Sequence, residues 1–182
     1  MSERENDRMN VLLHTCCGPC ASHCVWALKT LGHRVTMFYS NANIWPPEEF
    51  ARRREGVEKL ALATKTELIV DEPDNAAWEE EVARGFETAP ERGPRCARCF
   101  RFNLSRTYKK MEALGFDAFT TSLTVSPYKP SPLILGIGRE VGGEHFLEED
   151  FKKKNGYLHS LELSREYGLY RQSYCGCRYS IR

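Results

Sequence analysis

The chain has 182 residues, of which 41% are hydrophobic and 28% are charged, and its formal net charge is +1. This balance predicts a globular domain with a buried core, and it excludes both a disordered chain and a polycation. The apolar runs are too short for a membrane span, and the polar start MSERENDRMN lacks the apolar region of a secretory signal. We therefore expect no membrane contact and a cytoplasmic, reducing location.

Short apolar runs alternate with segments of helical spacing along the chain. Predicted strands lie at residues 11–14, 35–39, 67–70 and 117–123, with a short fifth strand at 146–147. Predicted helices lie at 20–31, 46–64, 75–86, 94–115, 131–141 and 157–167. This alternation predicts an α/β fold, a mostly parallel sheet in three layers with helices on both faces. We expect a single catalytic domain over residues 1–182, with a flexible N-terminus at 1–9 and a C-terminal tail at 168–182 that covers the site.

The eight cysteines of the chain lie in three separated groups. The first group spans residues 16–24, the second is Cys96-Ala-Arg-Cys99, and the third is Cys175-Gly-Cys177. Stable disulfides are rare in a reducing compartment, so the three groups indicate a metal or redox centre. The first group follows the first predicted strand, and parallel sheets bind their ligands beyond the carboxyl ends of strands.

Two pairs of these cysteines, Cys16 with Cys17 and Cys96 with Cys99, lie at the starts of predicted helices. The positive end of a helix favours the thiolate, which is the metal-binding form. Four thiolates match a [4Fe–4S] cluster or a structural zinc ion. We favour the cluster over zinc, because adjacent cysteine side chains diverge and a cuboidal cluster accepts that divergence more easily. The role of Cys20 stays open between a residue that lines the site and a spare ligand.

The Cys175-Gly176-Cys177 sequence indicates a different role. Two cysteines one residue apart can close into a strained disulfide ring, and strain makes a disulfide easier to reduce. Such a pair suits a two-electron relay. The alternative is that one or both thiolates bind a second metal beside the first. Tyrosines and arginines surround this sequence, as expected for a tail that covers a site.

Four segments of the chain resemble the QueH-type epoxyqueuosine reductases, and together they span nearly its whole length. They are HTCCGPC at residues 14–20, CARCFRFNL at 96–104, TTSLTVSPYK at 120–129 and YRQSYCGCRYS at 170–180. Asn103 stands where the family pattern has arginine, and this departure lies outside the cysteines. The resemblance implies a fold similar to the adenine nucleotide α-hydrolase group. Cysteines replace the phosphate-binding loop of that group, so ATP is not expected there.

The resemblance also implies a reaction and its cofactors. Members of the family deoxygenate epoxyqueuosine at the wobble position of tRNA to queuosine, the last step of queuosine synthesis, without cobalamin. They carry a [4Fe–4S] cluster, with an additional mononuclear iron described next to it. By motif match, the cluster ligands are Cys16, Cys17, Cys96 and Cys99. The redox-active pair, or the ligands of the additional iron, are Cys175 and Cys177. The expected partners are tRNA and an electron donor such as a ferredoxin or flavodoxin.

Further residues are predicted to bind the substrate or to supply protons for the reaction. Removal of an epoxide oxygen takes two electrons and two protons, and His14 beside the first cysteine loop is the leading proton donor. Substrate contacts are expected from Tyr128, Lys129, Arg171 and Arg178, with the cations meeting tRNA phosphates. Two other functions would each leave a recognisable feature. An ATP-dependent tRNA sulfur-transfer enzyme should show a glycine- and serine-rich phosphate loop, and a zinc-stabilised RNA-binding module should be colourless.

Overall fold

The computed structural model describes residues 8–181, so most of the N-terminal segment expected to be flexible lies outside the described residues. Four strands form one sheet: β1 (Asn10–His14), β2 (Arg34–Tyr39), β3 (Glu67–Val70) and β4 (Ala118–Thr121). The α-helices are α1 (Gly18–Thr30), α2 (Pro47–Thr64), α3 (Asn75–Trp78), α4 (Pro94–Leu114), α5 (Ser131–Gly142) and α6 (Gly156–Glu166). Within the described residues, no helix is both long and apolar enough to cross a membrane.

The order of the strands across the sheet is β3-β2-β1-β4, and all neighbouring strands are parallel. The chain moves outward from β1 through β2 to β3, and it then returns to the opposite side of β1 to add β4. This reversal of direction leaves a crevice beyond the carboxyl ends of β1 and β4, where parallel sheets bind their ligands. The predicted α/β fold with a parallel sheet is confirmed.

Alternate side chains of β1 enter two separate apolar layers. Val11 and Leu13 pack with residues of α1 and α2 on one face of the sheet. Leu12 packs with residues of α4 and α5 on the other face. All three side chains are fully buried. Because β1 is covered on both faces, its apolar run is continuous rather than alternating, and the loop that follows it starts from a firmly packed strand.

The fourth strand is shorter than the sequence indicated. It ends at Thr121, and Ser122–Val125 form a turn of 3-10 helix. The Thr121 hydroxyl accepts a hydrogen bond from the Leu123 amide at 3.2 Å, and this bond turns the chain out of the sheet. The turn brings the Ser122 hydroxyl to the cysteine loop, where it accepts a hydrogen bond from the Cys16 amide at 3.1 Å.

Two other segments also depart from the expected elements. The helix expected over residues 75–86 consists of α3 followed by a π-helical turn at Glu79–Ala83. π-Turns are frequent at functional sites, and this one buries Trp78 at its start. The strand expected at 146–147 is reduced to a single bridge with Phe119, because only one amide of this segment bonds to the neighbouring strand.

Candidate metal and redox centre

A cavity of roughly 810 Å³ lies beyond the carboxyl ends of β1, β2 and β4. Its wall combines the loops after these strands with the start of α4, part of α6 and the C-terminal tail, which we define as residues 168–181. Six cysteines line it, which are Cys16, Cys20, Cys96, Cys99, Cys175 and Cys177. All eight cysteines of the chain are free thiols in this structure. The fold therefore brings members of all three cysteine groups to one cavity.

Cys16, Cys17 and Cys20 form the tightest group of thiols. Their sulfur atoms all lie within 4.8 Å of one another, close enough to bind one metal ion. Cys17 caps α1, whose first residue is Gly18. A Cβ atom on Gly18 would lie 2.9 Å from the carbonyl oxygen of Gly56 in α2, so the glycine allows the two helices to approach closely. Cys20, whose role the sequence left open, belongs to this group.

One thiolate is favoured among these three cysteines. Hydrogen bonds from the Cys17 and Cys20 thiols hold the pKa of Cys16 well below its usual range, and the nearby Lys129 ammonium lowers it further. The same interaction with Cys16 raises the pKa of Cys17 to about 12. The Ser122 hydroxyl also donates a hydrogen bond to the Cys16 sulfur at 3.3 Å. The group therefore holds negative charge beside the cavity, which suits a metal cation.

Cys96 and Cys99 lie in the first turns of α4, and both sulfur atoms accept hydrogen bonds. The Cys96 sulfur accepts from the Arg92 amide, and the Cys99 sulfur accepts from the Trp78 indole N–H, both at 3.3 Å. Burial raises the pKa of both thiols, that of Cys99 to about 12. The helix start favours the thiolate, but desolvation of these two partly buried thiols has the larger effect on their pKa. The helix start alone therefore does not give the thiolates expected from the sequence. A bound metal cation would stabilise the thiolate form instead.

Cys175 and Cys177 lie in the C-terminal tail on either side of Gly176, whose φ of +118° favours glycine. The Cys175 sulfur lies 2.9 Å from the Ser180 hydroxyl oxygen. A hydrogen bond from the Cys177 thiol lowers the pKa of Cys175 to about 5, and the same interaction raises the pKa of Cys177 well above its usual range. A thiolate therefore lies beside a thiol, the protonation state from which thiol–disulfide exchange begins. The disulfide considered from the sequence stays a prediction.

Three of the predicted substrate residues line the cavity, namely Tyr128, Lys129 and Arg171. Tyr128 is 69% exposed, so its ring is available to a large ligand. Burial alone would lower the pKa of Lys129, but the charges of Cys16 and the other cysteines outweigh burial and raise it. Lys129 is therefore a cation held inside the cavity, and Arg171 is an exposed cation at its edge.

Three further predicted site residues, Cys17, His14 and Arg178, are absent from the described cavity wall. His14 is fully buried, with Nδ1 2.8 Å from the Thr121 hydroxyl and Nε2 3.1 Å from the Ser40 carbonyl oxygen. These contacts join the ends of β1, β4 and β2, and burial lowers the pKa of His14. Its role as proton donor stays a prediction. The Arg178 guanidinium lies over the Trp45 ring, 4.5 Å from the centroid.

Three residues at the cavity have no role predicted from the sequence. The Gln172 side-chain amide donates to the Cys17 sulfur at 3.0 Å, and the Trp78 indole donates to Cys99 as described above. Arg53 of α2 is only 3% exposed and donates hydrogen bonds to the tail. The position of Gln172 within YRQSYCGCRYS could have indicated its role. Trp78 and Arg53 lie outside the four segments, so no sequence signal pointed to them.

The sequence profile of the family described as epoxyqueuosine reductase QueH matches residues 11–182. The chain belongs to this family. A QueH relative from Streptococcus pyogenes serotype M1 is 37% identical over 99% of this chain and 73% of its own length. Relatives from Staphylococcus epidermidis and Thermotoga maritima are each 33% identical, over 96% and 94% of this chain and 77% and 90% of their own lengths. All three are named epoxyqueuosine reductase QueH, and the chain is an oxidoreductase of the QueH family.

A solved structure also shares the fold of this QueH chain. It is described as a predicted subunit of a tRNA methyltransferase from Methanocaldococcus jannaschii. The similarity covers 85% of this chain and 75% of the other, with a TM-score of 0.58 at 15% sequence identity. At this identity the likeness bears on the Rossmann-like α/β architecture alone.

Proposed function

We propose that the chain reduces epoxyqueuosine at the wobble position of tRNA to queuosine, the last step of queuosine synthesis. Two electrons and two protons convert the epoxide into an alkene and release its oxygen as water. The observation that carries the proposal is the meeting of six cysteines at one cavity in a member of the QueH family. Such a site suits a redox reaction, because thiolates bind iron and thiol pairs exchange electrons.

The proposed cofactor is a [4Fe–4S] cluster, and its proposed ligands are Cys16, Cys17, Cys96 and Cys99. The donor set fits this group, since N–H donors reach the sulfur atoms of Cys17, Cys96 and Cys99. Hydrogen bonds of this kind tune the potentials of clusters held by thiolates. When bound, the cluster supplies electrons one at a time. Cys20 is the fifth thiol near this set and competes with the others as a ligand.

The tail is proposed to complete the two-electron reaction through Cys175 and Cys177. If this dithiol closes to a disulfide, it releases two electrons and two protons, which is the stoichiometry that the epoxide requires. A donor such as a ferredoxin or flavodoxin then reduces the disulfide again. The alternative is that the same thiolates hold an additional mononuclear iron. In both versions the chain acts as one catalytic domain, with the tail covering the site.

The proposed partner is a tRNA in the cytoplasm, recognised through its anticodon loop. Lys129, Arg171 and Arg178 are proposed to contact phosphates, and the exposed Tyr128 ring can stack on an unpaired base. A single-stranded loop suits this cavity, because its bases can leave the stack and enter a site formed by a small protein.

The proposal is tested by anaerobic purification and a turnover assay with epoxyqueuosine-containing tRNA and dithionite. We expect a brown protein that contains iron and sulfide and converts the tRNA. A colourless protein with stoichiometric zinc would refute the cluster. A protein that holds iron but leaves epoxyqueuosine unchanged would refute the reaction.

The ligand set is tested by serine variants whose iron content is measured. Cys96→Ser and Cys99→Ser should lose iron, whereas Cys24→Ser should retain it, because Cys24 is a fully buried thiol of the apolar core. Cys20→Ser separates two ligand sets. Loss of iron in this variant, together with full iron in Cys99→Ser, would replace the proposed set by one that contains Cys20.

The role of the tail cysteines is tested by Cys175→Ser and Cys177→Ser. Both variants should keep the brown colour and the fold but fail to convert the tRNA. Loss of the colour would assign these cysteines to the cluster. Full turnover would leave the tail as a cover only, and both electrons would then come from another group.

A further inference from the structure

Arg53 of α2 holds the part of the tail that carries Cys175. Its two terminal nitrogens donate hydrogen bonds to the Tyr174 and Cys175 carbonyl oxygens, both at 3.0 Å. The guanidinium also lies over the Tyr174 ring, 5.2 Å from the centroid. Arg53 is 3% exposed, so these bonds form in a site with little water. One side chain thus fixes two successive backbone carbonyls of the tail.

Glu49, one helical turn earlier, holds the Arg53 guanidinium in this orientation. Its Oε1 atom lies 2.7 Å from Arg53 Nε, which leaves the two terminal nitrogens free to point at the tail. Both side chains are buried, with relative exposures of 2% and 8%. Glu49 also accepts a hydrogen bond from the Tyr170 hydroxyl at 3.0 Å. Both side chains of the ion pair therefore form hydrogen bonds with the tail.

The turn between the tail cysteines fits directly against this arginine. A Cβ atom on Gly176 would lie 3.0 Å from an Arg53 terminal nitrogen and 3.0 Å from Ile44 Cγ1. The Gly176 carbonyl accepts a hydrogen bond from the Trp45 amide at 2.8 Å. Hydrogen bonds to the Cys175 and Gly176 carbonyl oxygens therefore hold the Cys175-Gly176-Cys177 turn, and Gly176 packs closely against Arg53 and Ile44.

We propose that Arg53 is a positioning residue for the Cys175–Cys177 pair, and that Glu49 orients it. The inference rests on the proposed function for the role of that pair in turnover. Arg53 acts through the backbone of the tail rather than on the substrate. Its planar fork spans two carbonyl oxygens, which a lysine ammonium cannot do with the same geometry. The redox pair thereby keeps a fixed place in the wall of the cavity that Cys16 and Cys20 also line.

The test compares Arg53→Lys with Arg54→Lys. Arg54 offers a matched control on the same helix, because it pairs with Glu58 at 2.7 Å through the same atoms, but with both side chains 43% exposed. Arg53→Lys keeps the charge beside Glu49 and loses the fork. We expect kcat to fall by about 10- to 100-fold, the loss produced by a misplacement of ~1 Å, while the KM for tRNA changes less than about twofold. Arg54→Lys should match the wild type in both constants.

A second measurement does not depend on turnover. Amide hydrogen exchange at residues 170–181 should become faster in Arg53→Lys and stay unchanged in Arg54→Lys, while both variants retain wild-type iron content. Unchanged exchange and unchanged kcat in Arg53→Lys would overturn the proposal. If wild type and variants all fail to reduce epoxyqueuosine, the proposed function fails, and the exchange data still decide whether Arg53 positions the tail.

The Gly176→Ala variant tests the same contact between Arg53 and the tail, with the substitution made in the tail. Its methyl group would press on Arg53 and Ile44, and the φ of +118° is strained for alanine, so the variant should reproduce the loss in kcat and the faster exchange while the charges of Arg53 and Glu49 stay in place. Wild-type values in both measurements would show that the turn does not depend on this packing and would overturn the proposal.

Discussion

A methyl group at Gly18 should disturb both the stability of the fold and the cysteine loop. The Cβ atom would lie 2.9 Å from the carbonyl oxygen and 3.0 Å from the carbonyl carbon of Gly56. Both contacts are with backbone atoms, so no side chain can rotate away and one helix must move relative to the other. Since Cys17 and Cys20 flank Gly18, this movement reaches two of the three grouped sulfur atoms.

The magnitude for Gly18→Ala follows from two opposing effects. Overpacking of a filled contact costs about 1–3 kcal/mol of unfolding free energy. Alanine has a higher helix propensity than glycine, which offsets up to about 1 kcal/mol of this loss in unfolding free energy. With the middle of the first range and the full value of the second, we expect a net loss of about 1 kcal/mol, which in a chain of this length lowers the Tm by about 2–4 °C.

Gly56→Ala is the matched control for this prediction. Gly56 lies on the other side of the same contact, inside α2, and a Cβ atom there would have no neighbour within 4 Å. Its replacement should raise the unfolding free energy by roughly 0.5–1 kcal/mol. Both variants are measured by thermal and denaturant unfolding without metal, and then by iron content after reconstitution. A Gly18→Ala protein as stable as the wild type, or a Gly56→Ala protein equally destabilised, would refute the close-approach argument.

Three other predictions follow from the charges of the structure. In the metal-free protein, alkylation of Cys175 should reach half its maximal rate near pH 5, because hydrogen bonding from the neighbouring thiol lowers its pKa to about 5; a midpoint near 9.0 would show an ordinary thiol. Burial, aided by the charge of His159, lowers the pKa of His23 from 6.5 to about 4, so the unfolded chain binds more protons between these values. The unfolding free energy should therefore fall as the pH drops from 6.5 to 4, and His23→Gln should reduce that fall while the exposed His145→Gln does not. Arg171→Ala should weaken tRNA binding and reduce the slope of log Kd against log salt by about 1, and an unchanged slope would remove Arg171 from the phosphate contacts.

The fold and the place of the centre were predictable because both depend on short stretches of sequence. A continuous apolar run such as 11–13 indicates a strand buried on both faces, and the cysteine-rich loop directly follows it. Parallel pairing then sends that loop to the carboxyl edge of the sheet, where the loop after β4 also lies. The ionisation of the thiols was less predictable. A helix start favours a thiolate, but the burial that raises the pKa of Cys96 and Cys99 depends on residues distant in sequence.

Two ion pairs on α2 show why the support of the tail could not be predicted. Glu49 with Arg53, and Arg54 with Glu58, are both spaced four residues apart, and both pairs measure 2.7 Å. Sequence alone gives the two pairs the same interpretation, a solvated helix face. The tail buries the first pair and leaves the second half-exposed, and only the tertiary fold determines this difference. Removal of one partner from a buried pair leaves an uncompensated charge, whereas an exposed pair contributes little. The position of Cys175 therefore depends on the Glu49–Arg53 pair, which the sequence alone cannot distinguish from the neighbouring Arg54–Glu58 pair.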